Sequence, residues 1–307
     1  MCRVLQYLGP PLVLDDLLFA PSSSLARQCH HPQLTQLLNL GGFGLAAWDP
    51  SSQLPAEPWL YRSTTLPAFD ANLRSLARKI SATCALAHIR GVPFADAEAF
   101  GPHNLHPFRY PDYAWAMAHN GFLKGFTSMR HALTVHTSGE VARWVKGTTD
   151  SEAVYALVMS RLADPTKAGV DELATAVQES LRILRQVRRA HGLDISSSLN
   201  LFFTNGTDAL SLRFAFDFGC YDTSDPSGLD PAATSFLSLW YTVGQRFGEV
   251  DGQWRMTGDQ TSAEALLVAS EPLSLDRSGW TEVPEYTMLL VERRGASLLV
   301  RTVPVDV

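Results

Sequence analysis

Met1-Cys2-Arg3-Val4-Leu5-Gln6-Tyr7-Leu8 opens the chain, and this stretch carries two readings at once. Residues 3–8 read as a β-strand. Cys2, directly after the initiator methionine, becomes the amino terminus once that methionine is removed. Its thiol then shares a residue with a free α-amino group, whose ordinary pKa of about 7.7–8.0 suits it to accept a proton near neutral pH. One residue thus supplies nucleophile and general base, with no separate histidine. Taken alone, Cys2 is more ordinarily an apolar second residue, so the chemical reading needs support from elsewhere in the chain.

Working outward, residues 43–48 (Phe-Gly-Leu-Ala-Ala-Trp) read as another strand, and 84–89 (Cys-Ala-Leu-Ala-His-Ile) and 113–118 (Tyr-Ala-Trp-Ala-Met-Ala) as buried ones. Asp70 is a helix N-cap candidate for residues up to about Lys79. The middle is helical. Asp150 or Ser151 can cap a helix with Val154, Leu157, Val158 and Leu162 on one face. A second helix, from Val170 to His191, carries Leu173, Val177, Leu181, Leu184 and Val187 at three-and-four spacing. Its Arg182, Arg185, Arg188 and Arg189 read as a solvated face and not as a nucleic-acid site. The last third returns to strands at 199–204, 209–215, 235–243, 264–269, 286–293 and 297–302, with Asp222 to Pro231 as a surface loop. Strands, two helices, then strands predict two sheets with helical layers in one domain spanning 1–307, with Met1 removed, and not a series of βαβ units.

Composition narrows the classes. A net charge of −6 over 307 residues argues against a non-specific nucleic-acid binder, which wants a basic face. No apolar run approaches the roughly 20 residues that span a bilayer, and the start lacks the apolar stretch of a signal peptide. A cytoplasmic protein with no membrane partner is the expectation. Cys2, Cys29, Cys84 and Cys220 form no C-x-x-C pair and are expected as free thiols. Cys29-His30-His31 invites a zinc reading, but adjacent residues chelate one ion poorly and no second ligand pair stands at zinc spacing. No metal and no cofactor are expected.

Attack on an amide carbonyl needs donors for the developing oxyanion. Asn120 and Gly121 follow a predicted buried strand, where a side-chain amide and a backbone N–H can converge on one oxygen; the ordinary alternative is an Asn-Gly turn. An α-amino acid head group needs a cation and an anion. Arg90 ends the strand Ala-His-Ile-Arg, and a guanidinium pairs bidentately with a carboxylate. Asp150 stands where a helix begins, as a first-turn acid that offsets the helix dipole and as a candidate partner for an ammonium.

The ordered series Met-Cys-Arg, Gly-Phe-Gly (42–44), His-Ile-Arg (88–90), Asn-Leu-His-Pro-Phe (104–108), Ala-His-Asn-Gly (118–121) and Thr-Asp-Ser-Glu (149–152) resembles the class II glutamine amidotransferases. It is most similar to their stand-alone branch, which includes the γ-glutamyl hydrolase of ergothioneine biosynthesis and the amidotransferase-like subunit of the yeast glutathione-degrading complex. Further matches at Pro21 to Leu25 with Gln28, at Leu199-Asn200 with Ser211-Leu212-Arg213, and at Ser270-Glu271-Pro272-Leu273 with Trp280 extend it over nearly the whole chain. The resemblance implies an α+β, four-layer αββα sandwich, the N-terminal-nucleophile hydrolase fold. It implies Cys2 as nucleophile with its amine as base, Asn120 and Gly121 as the oxyanion hole, Arg90 on the substrate α-carboxylate and Asp150 on the α-ammonium. His106 and His119 lie in family motifs and are read as structural. Two positions depart from the family pattern. Gly41 stands where an acid is usual, and Pro93 replaces a threonine that lines the substrate pocket, removing a hydroxyl and an N–H.

The expected reaction is hydrolysis of a γ-glutamyl amide, glutamine or a γ-glutamyl compound, through a Cys2 thioester. The alternatives are a weak or inactive γ-glutamyl-binding module, a glutaminase subunit that delivers ammonia to a partner protein, and an acylase of other amides. The retained head-group residues disfavour the last. A small-molecule substrate, and a partner protein or a homo-oligomer, are the partners that fit.

Overall fold

The computed structural model describes residues 2–34, 38–91, 101–221 and 235–307. Pro93 and the predicted loop Asp222 to Pro231 lie outside them. One sheet runs, in spatial order, β13 (Thr281–Glu282), β9 (Trp240–Gly244), β12 (Ala265–Ala269), β1 (Arg3–Val13), β4 (Ser81–Ile89), β2 (Phe43–Trp48) and β3 (Trp59–Ser63). The other runs β15 (Ser297–Pro304), β14 (Thr287–Arg294), β7 (Ala209–Arg213), β6 (Ser197–Thr204) and β5 (Ala116–Phe122), with the short β8 (Ala215–Phe216) also paired to β6. The recorded pairings in both sheets are antiparallel. A separate hairpin joins β10 (Arg246–Val250) to β11 (Gln253–Thr257).

Strand alternation assigns the layers. On β1, Val4 and Leu8 join Leu86 of β4 and Val268 of β12 in a buried cluster with Ala116 and Ala118 of β5, Phe202 of β6 and Leu289 of β14. That cluster is the seam between the two sheets. The intervening residues point the other way: Leu5, Tyr7, Leu45, Ala87 and Leu267 pack with α1 (Leu14–Leu18), α2 (Leu25–Gln28) and α3 (Ala71–Ala77). Behind the second sheet, Met117, Leu201, Phe203 and Leu290 pack with α4 (Phe126–Thr134), α6 (Asp150–Met159) and α7 (Val170–Ala190). A short α5 (Gly139–Ala142) precedes α6. The result is helix, sheet, sheet, helix, as the motif order implies. Among the described residues no helix is long and apolar enough to cross a membrane.

One buried amide ties the seam together. Gln6 lies on the inner face of β1; its Nε2 donates to Phe203 O at 2.7 Å and its Oε1 accepts from Ser211 Oγ at 2.6 Å. Both ends of the amide are satisfied, so its desolvation is offset and the two sheets are tied in one register.

Several local readings change. The cap of α6 is Thr149, whose Oγ1 accepts from Glu152 N at 3.2 Å, and Asp150 is the first helical residue. Asp70 does cap α3, accepting from Leu73 N at 3.0 Å. The basic face of α7 is not wholly solvated. Arg188 is 1% exposed, bonds Ser197 Oγ at 2.7 Å and pairs with Asp217 at 3.1 Å, so a charge run on a helix face concealed a buried anchor. Strand β5 begins at Ala116, three residues later than expected, and β9 begins at Trp240 and not at 235. The edge strand β3 and both strands of the β10–β11 hairpin are only five residues long and carry no sustained apolar run, which leaves a short stretch in which to read a period.

Candidate active site

Cys2 sits immediately before β1, and the β1–β4 register sets Arg3 opposite Ile89, which brings the start of β1 beside the end of β4. The Cys2 thiol is 8% exposed, and the Gly91 N–H points at its Sγ from 3.5 Å. Arg3, on the other face of the strand, donates from Nη1 to the Cys2 carbonyl at 2.9 Å and pairs through Nη2 with Glu271 at 2.7 Å. Both partners are 1% exposed. Burial pulls the Arg3 guanidinium below its usual value while Glu271 holds it up, so the ion pair is what lets a charge stand under the nucleophile. The other oxygen of Glu271 accepts from the backbone N–H groups of Gln33 (2.6 Å) and Leu34 (3.2 Å).

Arg90 is 7% exposed. Its backbone is fixed on both sides, its N–H donating to Gly42 O at 2.9 Å and its carbonyl accepting from Gly41 N at 2.7 Å. The residue at the departing position 41 therefore serves the Arg90 backbone. The Arg90 guanidinium donates through Nη1 to Asn104 O. Asn104 in turn clasps Thr148, donating to its Oγ1 at 3.1 Å and accepting from its N at 2.9 Å. This carries the contact chain to the start of α6. There Asp150 accepts from Leu123 N at 2.7 Å and from Ser151 N at 2.7 Å. Leu123 lies two residues beyond Gly121, so the Asp150 carboxylate is pinned to the segment that follows β5.

Asn120 lies on the inner face of β5 by the same parity as Ala116 and Ala118, and is 1% exposed. Its Nδ2 donates to Ser270 Oγ at 3.1 Å, and that hydroxyl also accepts from Val4 N at 3.0 Å. One serine thus joins the Asn120 amide to the strand that bears Cys2. β5 is the edge of its sheet. Met117 exchanges both backbone bonds with Phe108, at 2.8 Å each, on the side away from β6. Alternation then puts the Gly121 N–H on that same outer edge, off the ladder. Gly121 has φ 156°, and a Cβ there would lie 1.9 Å from Ser198 O, so the close approach of β5 to β6 at this point requires glycine.

Three histidines lie beneath. His119 faces the helices, with Nδ1 2.9 Å from Ser151 Oγ and Nε2 3.2 Å from Ser198 O. It ties the strand end that carries Asn120 to the first turn of α6. His88 Nε2 lies 3.1 Å from the His119 carbonyl, and its ring stacks on His106 with centroids 4.0 Å apart. Burial, then the Arg90 charge, push His88 down to about 3, and burial pushes His106 well below the usual imidazole value. Both rings are neutral near pH 7. Gly44 makes room for this layer: a Cβ there would lie 1.7 Å from His106 O.

Sequence reasoning selected Cys2, Arg90, Asn120, Gly121 and Asp150. Hydrogen bonds run from Cys2 through Gly91, Arg90, Asn104 and Thr148 to the start of α6, and from Asp150 through Leu123 back to the end of β5. Arg3, Asn104, Ser270 and Glu271 were not selected for the site. The signal was present, since Arg3, Asn104 and Ser270-Glu271 all lie in quoted motifs, but no chemistry attached to them until their partners were visible. Cys29 and Cys84 are buried thiols held up to about 12 by desolvation, unsuited to act as thiolates. Among the described residues no group of three or more His, Cys, Asp or Glu stands as a metal-ligand set.

Residues 42–214 match the family "Glutamine amidotransferases class-II". The chain is 28% identical over 313 residues to the yeast (Saccharomyces cerevisiae) "Probable glutamine amidotransferase DUG3", covering 96% of this chain and 82% of that protein. It is 28% identical over 306 residues to the "Gamma-glutamyl-hercynylcysteine sulfoxide hydrolase" of Mycolicibacterium smegmatis, covering 98% of this chain and 99% of that protein. Among solved structures it superposes on a glutamine aminotransferase class-II domain protein from Silicibacter pomeroyi with TM-score 0.60 at 22% identity, over 99% of this chain and 100% of that one. It also superposes on the glutamine phosphoribosylpyrophosphate amidotransferase of B. subtilis with TM-score 0.57 at 17% identity, over 99% of this chain and 49% of that one. These superpositions identify the N-terminal-nucleophile hydrolase fold.

Proposed function

The chain belongs to the class II glutamine amidotransferases, an N-terminal-nucleophile amidohydrolase family, and from that premise we propose that it hydrolyses a γ-glutamyl amide through a thioester on Cys2. While Met1 is attached, the Cys2 nitrogen is a peptide nitrogen and cannot act as a base. Removal of Met1 frees the amine, which takes the thiol proton as sulfur adds to the amide carbon. The carbonyl oxygen gains charge between the Asn120 amide and the Gly121 N–H, donors held by a strand edge before substrate arrives. The C–N bond then breaks. The departing amine carries off the proton from the Cys2 α-ammonium, and the γ-glutamyl group remains on Cys2 as a thioester. Water adds to the thioester with the same amine as base, the C–S bond breaks, and glutamate and the thiol are restored. Arg90 would hold the substrate α-carboxylate and Asp150 its α-ammonium.

The observation that carries this reading is the contact of the Gly91 N–H with Cys2 Sγ, one residue from a buried arginine at the end of the neighbouring strand. A carboxylate recognised there comes with its γ-carbonyl within reach of the thiol. Two relatives named for γ-glutamyl or glutamine chemistry support the substrate class. The test is direct. Intact mass of the purified protein reports whether Met1 is gone, and a panel of glutamine, glutathione and other γ-glutamyl compounds reports released glutamate. A protein that retains Met1 and releases glutamate at full rate would sink the amine-base mechanism. A processed protein that releases none from the whole panel would favour the binding-module reading.

A further inference from the structure

Strand β1 divides the site into two flanks. On the β4 side lie Arg90 and, beyond it, Asn104 and Asp150. On the β12–β9–β13 side lies a cavity of about 210 Å³ that includes Asn120, Ser270, Trp240, Phe236 and Glu282 in its lining. The three substituents of an amide carbon diverge in a plane. With the oxygen at Asn120 and the glutamyl chain directed to Arg90, the nitrogen is left facing the second flank. Ammonia is water-sized, and a water needs roughly 10–15 Å³ of such space, so the cavity is far larger than glutamine needs.

The walls say what fills it. Phe236 and Trp240 are half-buried, and the Trp240 indole N–H has no acceptor among the described residues. Charge is already matched: Glu282 pairs with Arg213 at 3.0 Å and Arg3 with Glu271. Arg213 also fixes the wall, donating to Leu237 O at 2.8 Å and Val283 O at 2.6 Å, with its guanidinium 5.2 Å from the Phe236 ring. Asn200 Nδ2 donates to Ser238 O at 3.1 Å and Ser238 Oγ to Ser270 O at 2.8 Å. A preformed cleft with two aromatic walls and, among its described lining residues, no unmatched charge suits a flat, uncharged group.

Resting on the γ-glutamyl reading, we propose that this cavity is the leaving-amine subsite and that the substrate is a γ-glutamyl amide of an amine bearing an aromatic group, not glutamine. The amine released as the C–N bond breaks, with the proton it takes from the Cys2 ammonium, departs through this cleft.

The probes are γ-glutamyl-4-nitroanilide, followed by nitroaniline colour and glutamate, and glutamine, followed by glutamate, with the full-length processed enzyme. The expected kcat/KM favours the anilide by about tenfold or more, the scale of a filled apolar pocket. Trp240→Ala, and independently Phe236→Ala in case the first does not fold, should each cut the anilide-to-glutamine ratio by about tenfold. Equal kcat/KM for the two substrates, or a ratio unmoved in both variants, overturns the subsite and leaves hydrolysis standing. Release of glutamate from neither probe nor any member of the wider panel overturns the hydrolysis, and the subsite with it.

Discussion

The two flanks of β1 are built on opposite principles. The β4 flank is polar and locked: Arg90 is tied to Gly41, Gly42 and Asn104, Asn104 to Thr148, and Asp150 to Leu123. The β12–β9–β13 flank is an open cleft with aromatic walls. The first is suited to one fixed head group, because a buried polar network admits only a ligand that completes its hydrogen bonds. The second is suited to area and shape, which discriminate more softly. Chemistry shared by all substrates should therefore respond to changes on the first flank and at β1. Discrimination among leaving groups should respond to the second.

The largest effect belongs to the group both flanks serve. Cys2→Ser keeps an N-terminal amine but replaces the thiol with a hydroxyl far less ionised near neutral pH. Turnover of every γ-glutamyl substrate should fall by at least about 10³-fold with substrate still bound, measured by glutamate release and by calorimetry. Turnover unchanged for any of them would end the thioester mechanism. Next comes Asn120→Ala. Loss of one oxyanion donor costs about 10²–10³ in kcat, and the fall should be the same for glutamine and the anilide, since the oxyanion is common to both. A loss confined to one leaving group would mean that Asn120 serves the cleft and not the carbonyl.

Arg90→Lys and Asp150→Asn test the locked flank itself. The lysine keeps charge but loses the planar fork, and the asparagine removes the partner of the α-ammonium. Each should raise KM by about 10–100-fold, the scale of a charge-assisted hydrogen bond of 1.5–3 kcal/mol, with a smaller effect on kcat. Asp150→Asn should matter much less for substrates whose α-amine is acylated. If substrate binding by both variants matches the parent, the assignment of head-group roles collapses even though Cys2 could still be a nucleophile.

How much of this contrast could be read from sequence follows from the same difference. The locked flank is made by backbone ends and small polar residues at fixed offsets, so His-Ile-Arg, Ala-His-Asn-Gly and Thr-Asp-Ser-Glu announce it. The layering was legible too, because short buried apolar runs, then two helices at three-and-four spacing, then further runs stand in that order along the chain. The cleft was not. Trp240 and Phe236 sit in a stretch that reads as one strand over 235–243, whereas β9 starts only at Trp240. Phe236, Leu237 and Ser238 before it are held instead by Arg213, Asn200 and Ser270, contacts that no local pattern encodes. Arg188 was misread for a related reason: its burial depends on Asp217 and Ser197, which approach from other elements.

The smallest effect should appear as a slope. Under the locked flank, His88 and His106 are buried and neutral, His88 with its value depressed to about 3 by burial and then by Arg90. In the unfolded chain both would titrate near 6.5. Between pH 6.5 and about 3 the unfolded chain therefore binds protons that the folded site refuses, so stability is full above 6.5 and falls as pH is lowered through this window. Each such histidine contributes about 1.4 kcal/mol per pH unit. Urea unfolding between pH 7 and 5, above the range where ordinary carboxylates dominate, should show the decline. His88→Gln, whose amide can still donate to the His119 carbonyl, should flatten it by about the share of one histidine. A stability profile flat from pH 7 to 5 would show that these rings can be protonated in place. The β4 flank would then be far less rigid than its hydrogen bonds require, and the contrast between the two sides of β1 would lose its physical basis.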